Sequence, residues 1–219
     1  MSLVNAEPRI DSSAVLFGPR QIGWRCYVGP FCVLGFPMRD EFFETARWDV
    51  ADRPMSTGCV VGTDCMLLSH VVIGESTVLD NRVWCDHFTH IGCESRIGAG
   101  AQVMYGARVY HRVVIGERAW VGGFVCNDAV VEADAVVLGQ VVHRFAEVNE
   151  GVPEAAPRIR CGAFVGMNAM VVGDIEVGAG AYIAGGAVLI NSAAPGRLYA
   201  GVPARDMGPA PPVFISRKD

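Results

Sequence analysis

The chain has 219 residues, of which 51% are hydrophobic and only 19% charged, with a formal net charge of −5. No basic run points to nucleic acid, and no apolar stretch approaches the roughly 20 residues of a membrane-spanning helix. The length suits one domain, and with no charged-then-apolar leader at its start the expected location is the cytoplasm.

Six-residue units open the chain. Ile10, Leu16, Ile22, Val28 and Leu34 head the units IDSSAV, LFGPRQ, IGWRCY, VGPFCV and a partial LGF. The run stops at residues 36–58, FPMRDEFFETARWDVADRPMSTG, an insertion rich in aromatic and charged residues. Within it Phe42, Phe43 and Trp48 need burial, which favours docking on this subunit or a neighbouring one.

From Val61 to Cys126 eleven units follow without a slip: VGTDCM, LLSHVV, IGESTV, LDNRVW, CDHFTH, IGCESR, IGAGAQ, VMYGAR, VYHRVV, IGERAW, VGGFVC. The first place is nearly always Val, Ile or Leu, the second often Gly, the fifth small or β-branched. A helix would repeat near 3.6 residues and a half-buried strand in twos. Period six fits short straight segments separated by corners, each with one large apolar side chain pointing inward. Three segments closing a triangular coil return the chain every 18 residues, so Val61, Leu79, Ile97 and Ile115 form one interior column. Each such side chain, once buried, contributes about 1.5–3 kcal/mol. Glycine in the second place is expected at corners with unusual backbone angles. A fixed short period marks a solenoid, whose units bury their apolar faces only on their neighbours. A sandwich or barrel of short strands has no reason to hold this register so long.

Residues 127–130 shift the register before VEADAV and VLGQVV resume it. A second insertion, HRFAEVNEGVPEAAPR, covers residues 143–158. Insertions at solenoid corners often carry function, so each is read either as a solvated loop or interface pad or as the wall of a binding site. Ile159, Val165, Val171, Val177, Ile183 and Leu189 head the closing units, and residues 195–219 read as an extended tail containing Gly208-Pro-Ala-Pro-Pro. The expected fold is all-β, a parallel β-helix solenoid in one domain, with coils over about 10–35, 59–142 and 159–194. Of the eight cysteines, Cys26, Cys32 and Cys65 take fifth places and Cys85 a first place. Those are packing positions, and no CxxC pair argues for a metal or redox site.

Five histidines carry the candidate chemistry: His70, His87, His90, His111 and His143. His87 is third in CDHFTH, at a corner, and should point outward. Its column at 18-residue spacing reads Ser69, His87, Tyr105, Gly123, and the adjacent one His70, Phe88, Gly106, Phe124. Ser69, His70, Asp86, His87 and Tyr105 should therefore gather on one edge. An imidazole, with an ordinary pKa of about 6.5, is a natural general base at neutral pH. His87, Asp86 and Tyr105 are the expected catalytic residues. Ser69, His70, His90, Asn127 and His143 are the expected acceptor-binding residues. His90 should stack beside Arg108, and His111 with Cys93 and Glu75 on a different corner.

The units resemble the [LIV]-[GAED]-x-x-[STAV]-x repeat of the hexapeptide-repeat acyltransferases over roughly residues 10 to 205, and Gly201-Val202-Pro203-Ala204-Arg205 resembles their GxPA[RK] ending. The resemblance implies a left-handed coil, although parallel crossovers are normally right-handed. Asp86-His87-Phe88-Thr89-His90-Ile91-Gly92 is similar to the [DA]-H-x-x-x-[IV]-G segment of sugar O- and N-acetyltransferases of this family. There the histidine, matching His87, is the general base that deprotonates an amine or hydroxyl attacking a thioester, and a backbone N–H one coil further on stabilises the oxyanion. Two departures stand out. Tyr105 replaces the usual Gly of the next coil, and Phe88 the usual Asp or Asn, which makes the acceptor pocket more apolar.

The same resemblance implies acyl-CoA, most simply acetyl-CoA, as co-substrate, lying in a groove between two β-helices of a homotrimer. The expected contacts are Gly166, Asn168, Gly185, Gly186 and Arg205, with Arg197, Arg217 and Lys218 near the phosphates. No GxGxxG or GxxxxGK[ST] phosphate loop competes with this. The γ-class carbonic anhydrases share the fold, but their A-H-x4-H-G segment is not matched by His87 and His90, and no metal is expected. The expected function is an N- or O-acyltransferase acting on a sugar, sugar nucleotide or small metabolite. A zinc enzyme of that class and a non-catalytic scaffold are the alternatives.

Overall fold

The computed structural model describes residues 6–38, 56–144 and 155–212. Phe42, Phe43, Trp48, Arg217 and Lys218 lie outside the described residues. Among the described residues there are 28 short strands and no helix. Numbered in chain order from β1 (Arg9–Ile10) to β28 (Arg205–Pro209), the strands form three sheets of 11, 9 and 8.

Successive strands of the coil fall on successive faces, and each pairs in parallel with its counterpart one coil away. On the first face Trp84–Cys85 lies between Met66–Leu67 and Gln102–Val103. On the second face His90 lies between Val72 and Arg108, and on the third Ile97 lies between Leu79 and Ile115. The 18-residue coil is therefore real over this block. The column Val61, Leu79, Ile97, Ile115 is interior, with no member more than 2% exposed.

The full-length corners are tight turns. At several of them the fifth-place N–H returns to the second-place carbonyl, as from Ala101 to Gly98 at 3.1 Å and from Ala107 to Met104 at 3.0 Å. The fourth-place residue takes positive φ: 60° at His70, 59° at Phe88, 66° at Gly106. This corrects the expectation for second-place glycines, which, Gly35 at φ 73° apart, do not sit at positive φ. They are needed because the next coil passes too close: a Cβ on Gly98 would stand 2.6 Å from the Glu117 nitrogen, and one on Gly62 2.7 Å from the Asp80 carbonyl carbon. Fifth-place hydroxyls are buried and satisfied, Thr77 donating to the Gly92 carbonyl at 2.7 Å and Thr89 to that of Asp86 at 2.6 Å.

Three sequence expectations change. The register break is not at residues 127–130. The corner between inward-facing Val121 and Val125 is two residues short, so Phe124 pairs with Arg108, 16 residues back, and does not join the Gly106 column. A second short corner follows, Val137 to Val141, so VLGQVV is not a full unit. Both lie on the edge between the first and second faces, here called the first edge. Finally, the tail is not simply extended: β27 (Arg197–Ala200) adds to the first face and pairs antiparallel with β28.

Both insertions leave the second edge, between the second and third faces. One runs between β5 (Val33–Phe36) and β6 (Val60–Val61), the other between β20 (Gln140–Val142) and β21 (Arg158–Ile159). Glu75, only 4% exposed, ties the foot of the first. Its carboxylate accepts the N–H of Met38 at 2.6 Å and that of Thr57 at 3.2 Å.

Candidate active site

Three successive first-edge corners bring the expected residues together: Leu68-Ser69-His70, Asp86-His87-Phe88 and Met104-Tyr105-Gly106. His87 stands directly over Ser69. Its Nδ1 receives the Ser69 backbone N–H at 3.1 Å and lies 2.6 Å from Ser69 Oγ. The Asp86 carboxylate does not hold the ring; its Oδ1 accepts the N–H of His87 itself at 2.7 Å. No described residue pairs with Nε2, which is left for a ligand. Above and below, the fourth-place side chains of Phe31, His70 and Phe88 make a ladder, which third-place Tyr105 joins. Phe31 and His70 have ring centroids 5.0 Å apart, His70 and Phe88 stack at 4.8 Å, and Tyr105 meets Phe88 edge-on at 5.7 Å. Phe31, Phe88 and Tyr105 are 58%, 52% and 65% exposed, an unusual cost in wet aromatic surface for a chain on its own.

The two short corners cut a notch into the same edge, one coil beyond Tyr105. It has a volume of about 200 Å³ and is lined by Gly106, Arg108, Gly122, Gly123, Phe124, Leu138, Gly139, Gln140 and Asn168. Arg108 lies over the Phe124 ring at 5.7 Å. Glycine is obligatory here, since a Cβ on Gly123 would run into the Gly139 carbonyl. Sequence reading missed this notch. The signal was present: only Gly122, Gly123 and Phe124 separate Val121 from Val125. Of the expected cofactor contacts, Asn168 lines the notch, and Gly166, Gly185 and Gly186 continue the first edge beyond it.

Residues 156–191 match the family described as bacterial transferase hexapeptide (six repeats). The matched segment is the last block of six-residue units. It is 30% identical over 154 residues to the bifunctional protein GlmU of Paramagnetospirillum magneticum, covering 63% of this chain and 34% of that protein. It is 37% identical over 87 residues to the serine acetyltransferase of Escherichia coli K12, covering 40% of this chain and 31% of that one. The chain thus spans about a third of the length of these curated relatives. In structure it matches the UDP-N-acetylglucosamine O-acyltransferase LpxA of Moraxella catarrhalis with a TM-score of 0.53 at 17% identity, over 95% of this chain and 75% of that one. At that identity the match speaks for the fold alone, which is the left-handed parallel β-helix.

The remaining expected site residues fall elsewhere. Asn127 is on the second edge, where its Oδ1 accepts the His111 N–H at 3.0 Å. His111 in turn caps the Cys93 N–H through Nδ1 at 3.0 Å, which bears out the stacking of those two residues. His90 does stack beside Arg108, on the second face. Together with His111, Phe36, Met38 and Cys93 it lines a mostly apolar hollow of about 260 Å³ at the foot of the first insertion. Burial lowers the pKa of His90, and burial followed by the charges of His90 and Arg112 lowers that of His111. His143 is buried at the end of β20, its Nδ1 3.4 Å from the Ala155 carbonyl. Arg197 is committed to Asp206 at 2.8 Å, while Arg205 is exposed and touches its neighbour's carbonyl. All eight cysteines are free thiols, and seven are buried. Burial pushes Cys59 up to about 11 and Cys32 and Cys85 upward as well, so these thiols pack and do not react. Among the described residues no group of three His, Cys, Asp or Glu side chains is placed to hold a metal ion.

Proposed function

We propose that this chain is an acyltransferase that moves an acyl group, acetyl in the simplest case, from coenzyme A to an amino or hydroxyl group of a small molecule. The single observation that carries the reading is the first edge itself. A half-buried imidazole is held there by its Nδ1 with Nε2 left to a ligand, and a polar notch opens along the same edge. The glycine-lined stretch through Gly166, Asn168, Gly185 and Gly186 lets an extended pantetheine arm lie against backbone. The relative named as a serine acetyltransferase, matched over 31% of its length, supports the same reaction class. The exposed ladder of Phe31, Phe88 and Tyr105 supports assembly with further copies of the chain, a trimer by family resemblance, with His87 in the groove between two copies.

Thermal melting with acetyl-CoA, longer acyl-CoAs and free CoA tests this. A ligand at a hundred times its dissociation constant stabilises the folded state by about 2.7 kcal/mol, so the melting temperature should climb with concentration. Stabilisation ranks the acyl lengths. No response to any CoA species removes coenzyme A as donor. Stabilisation by zinc alone, on metal-stripped protein, would favour the carbonic-anhydrase reading instead.

A further inference from the structure

We infer that Arg108 and the notch beside it form a carboxylate subsite, and that the molecule receiving the acyl group is an acid. Its amine or hydroxyl meets His87 while a carboxylate on the same molecule lies against the Arg108 guanidinium. The acceptor role rests on the acyl-transfer reading above. The subsite rests on the notch alone.

Arg25, Arg112, Arg118 and Arg160, all at corners, are neutralised by carboxylates of neighbouring coils, as Arg112 is by Asp128 at 2.7 Å. Arg108 is placed differently. Its guanidinium carbon stands 5.7 Å from the centre of the Phe124 ring, and among the described residues no carboxylate reaches it. A guanidinium over a ring uses none of its N–H donors there. The planar fork is oriented, yet free to take a carboxylate in two parallel bonds. Among the described residues no Asp or Glu lines the notch, whose other polar groups are the side-chain amides of Gln140 and Asn168 and the peptide groups of glycines. Gly139 is buried, and its N–H meets no acceptor among the described residues, which is rare for a backbone donor away from water. The notch thus offers one full positive charge and several N–H donors with no negative group facing them. One delocalised cation matches one delocalised anion, and the carboxamides serve its remaining lone pairs. The chain as a whole carries −5, so the attraction is local and not part of a general basic field.

The place of the notch points to the acceptor. His87 precedes His90 by three residues, and His90 pairs with Arg108 on the second face. Arg108 therefore stands one coil beyond the His87 corner, about 5 Å along the solenoid axis, and leans over Phe124 of the coil after that. A small molecule spans that gap. Room for it comes from the two short corners, because full-length corners would put two more residues at each place where the carboxylate lies. Arg108, Phe124 and Gln140 form one column on the second face. Gly166, Gly185 and Gly186 follow the first edge beside it. The acid thus approaches His87 over the second face, and the pantetheine arm along the edge. A neutral analogue leaves the guanidinium facing an uncharged group, so the pocket discriminates against it.

The test compares acids with their own carboxamides: β-alanine, γ-aminobutyrate and lactate. Melting of the whole chain without coenzyme A is read first. The acids should raise the melting temperature of wild type more than the amides do, and Arg108→Gln should lose that difference. Arg108→Lys, which keeps the charge and loses the fork, should fall between the two. Without ligand, Arg108→Gln should melt as wild type does, because the side chain is exposed. Equal stabilisation by acid and amide, no response to any acid, or an acid response that survives in Arg108→Gln overturns the subsite. Binding of inorganic phosphate or free CoA that is lost in Arg108→Gln, with acids unaffected, also overturns it and assigns the guanidinium to a phosphate of the donor. Thiol release from acetyl-CoA is read second. Arg108→Gln should raise KM for the preferred acid about tenfold or more and leave kcat within about threefold. A lower kcat at unchanged KM, or acids that bind through Arg108 and never release thiol, overturns the acceptor role. If wild type binds no coenzyme A, the transferase reading fails while the melts with acid and amide still decide the subsite.

Discussion

At the residue scale the same corner cap recurs with consequences for pH. His111 accepts the Cys93 N–H through Nδ1, so a proton added there would face another proton. Burial first, then the charges of His90 and Arg112, already holds its pKa below the ordinary 6.5. The unfolded chain therefore binds more protons than the folded one in the window just below pH 6.5, and stability must rise with pH through that window and drop on acidification. Melting temperature should decline from pH 7 towards pH 5. The decline should shrink in a His90→Gln/His111→Asn double variant, whose Asn keeps the cap. An identical decline in the double variant would mean that other groups set the acid limit.

Corners, at the scale of the element, place two different demands on glycine, and these can be separated. Gly98 has an ordinary φ but would press a Cβ to 2.6 Å from the next coil's backbone, while Gly106 has φ +66° and nothing within 4 Å of a Cβ. Alanine at Gly98 must shift the stacked coil, a cost of about 1–3 kcal/mol. Alanine at Gly106 meets only the left-handed backbone penalty of about 1–2 kcal/mol, and that position already tolerates Phe88 and His70 in neighbouring coils. Urea melts should rank Gly98→Ala as the more damaging. The reverse ranking would put backbone angle above coil spacing as the constraint on these corners.

For the whole molecule, stability is a sum of stacked coils, each buried only by its neighbours. Ile97 stands mid-column at 1% exposure. Ile97→Asp would bury an unpaired carboxylate there and should cost more than about 4 kcal/mol, enough to unfold the central coils. Soluble protein with wild-type circular dichroism would refute the stacking register. The two edges also divide the labour. The second carries both insertions and the hollow beside His90 and His111, and the first carries His87, the aromatic ladder and the notch.

The amino-acid sequence by itself determined the coil, the interior columns and the gathering of Ser69, His70, Asp86, His87 and Tyr105 on one edge. A period of six with one apolar residue per unit admits little else, and stacking at 18 residues is arithmetic. The same arithmetic failed where two residues were missing, between Val121 and Val125 and again between Val137 and Val141. Valines, Phe124 and Leu138 mixed with glycine there obscure which residues face inward, so counting in sixes missed the notch. Only the tertiary structure decided what His87 faces. Residue type says that an imidazole is present, but what holds the ring is the backbone N–H and hydroxyl of a residue 18 positions away.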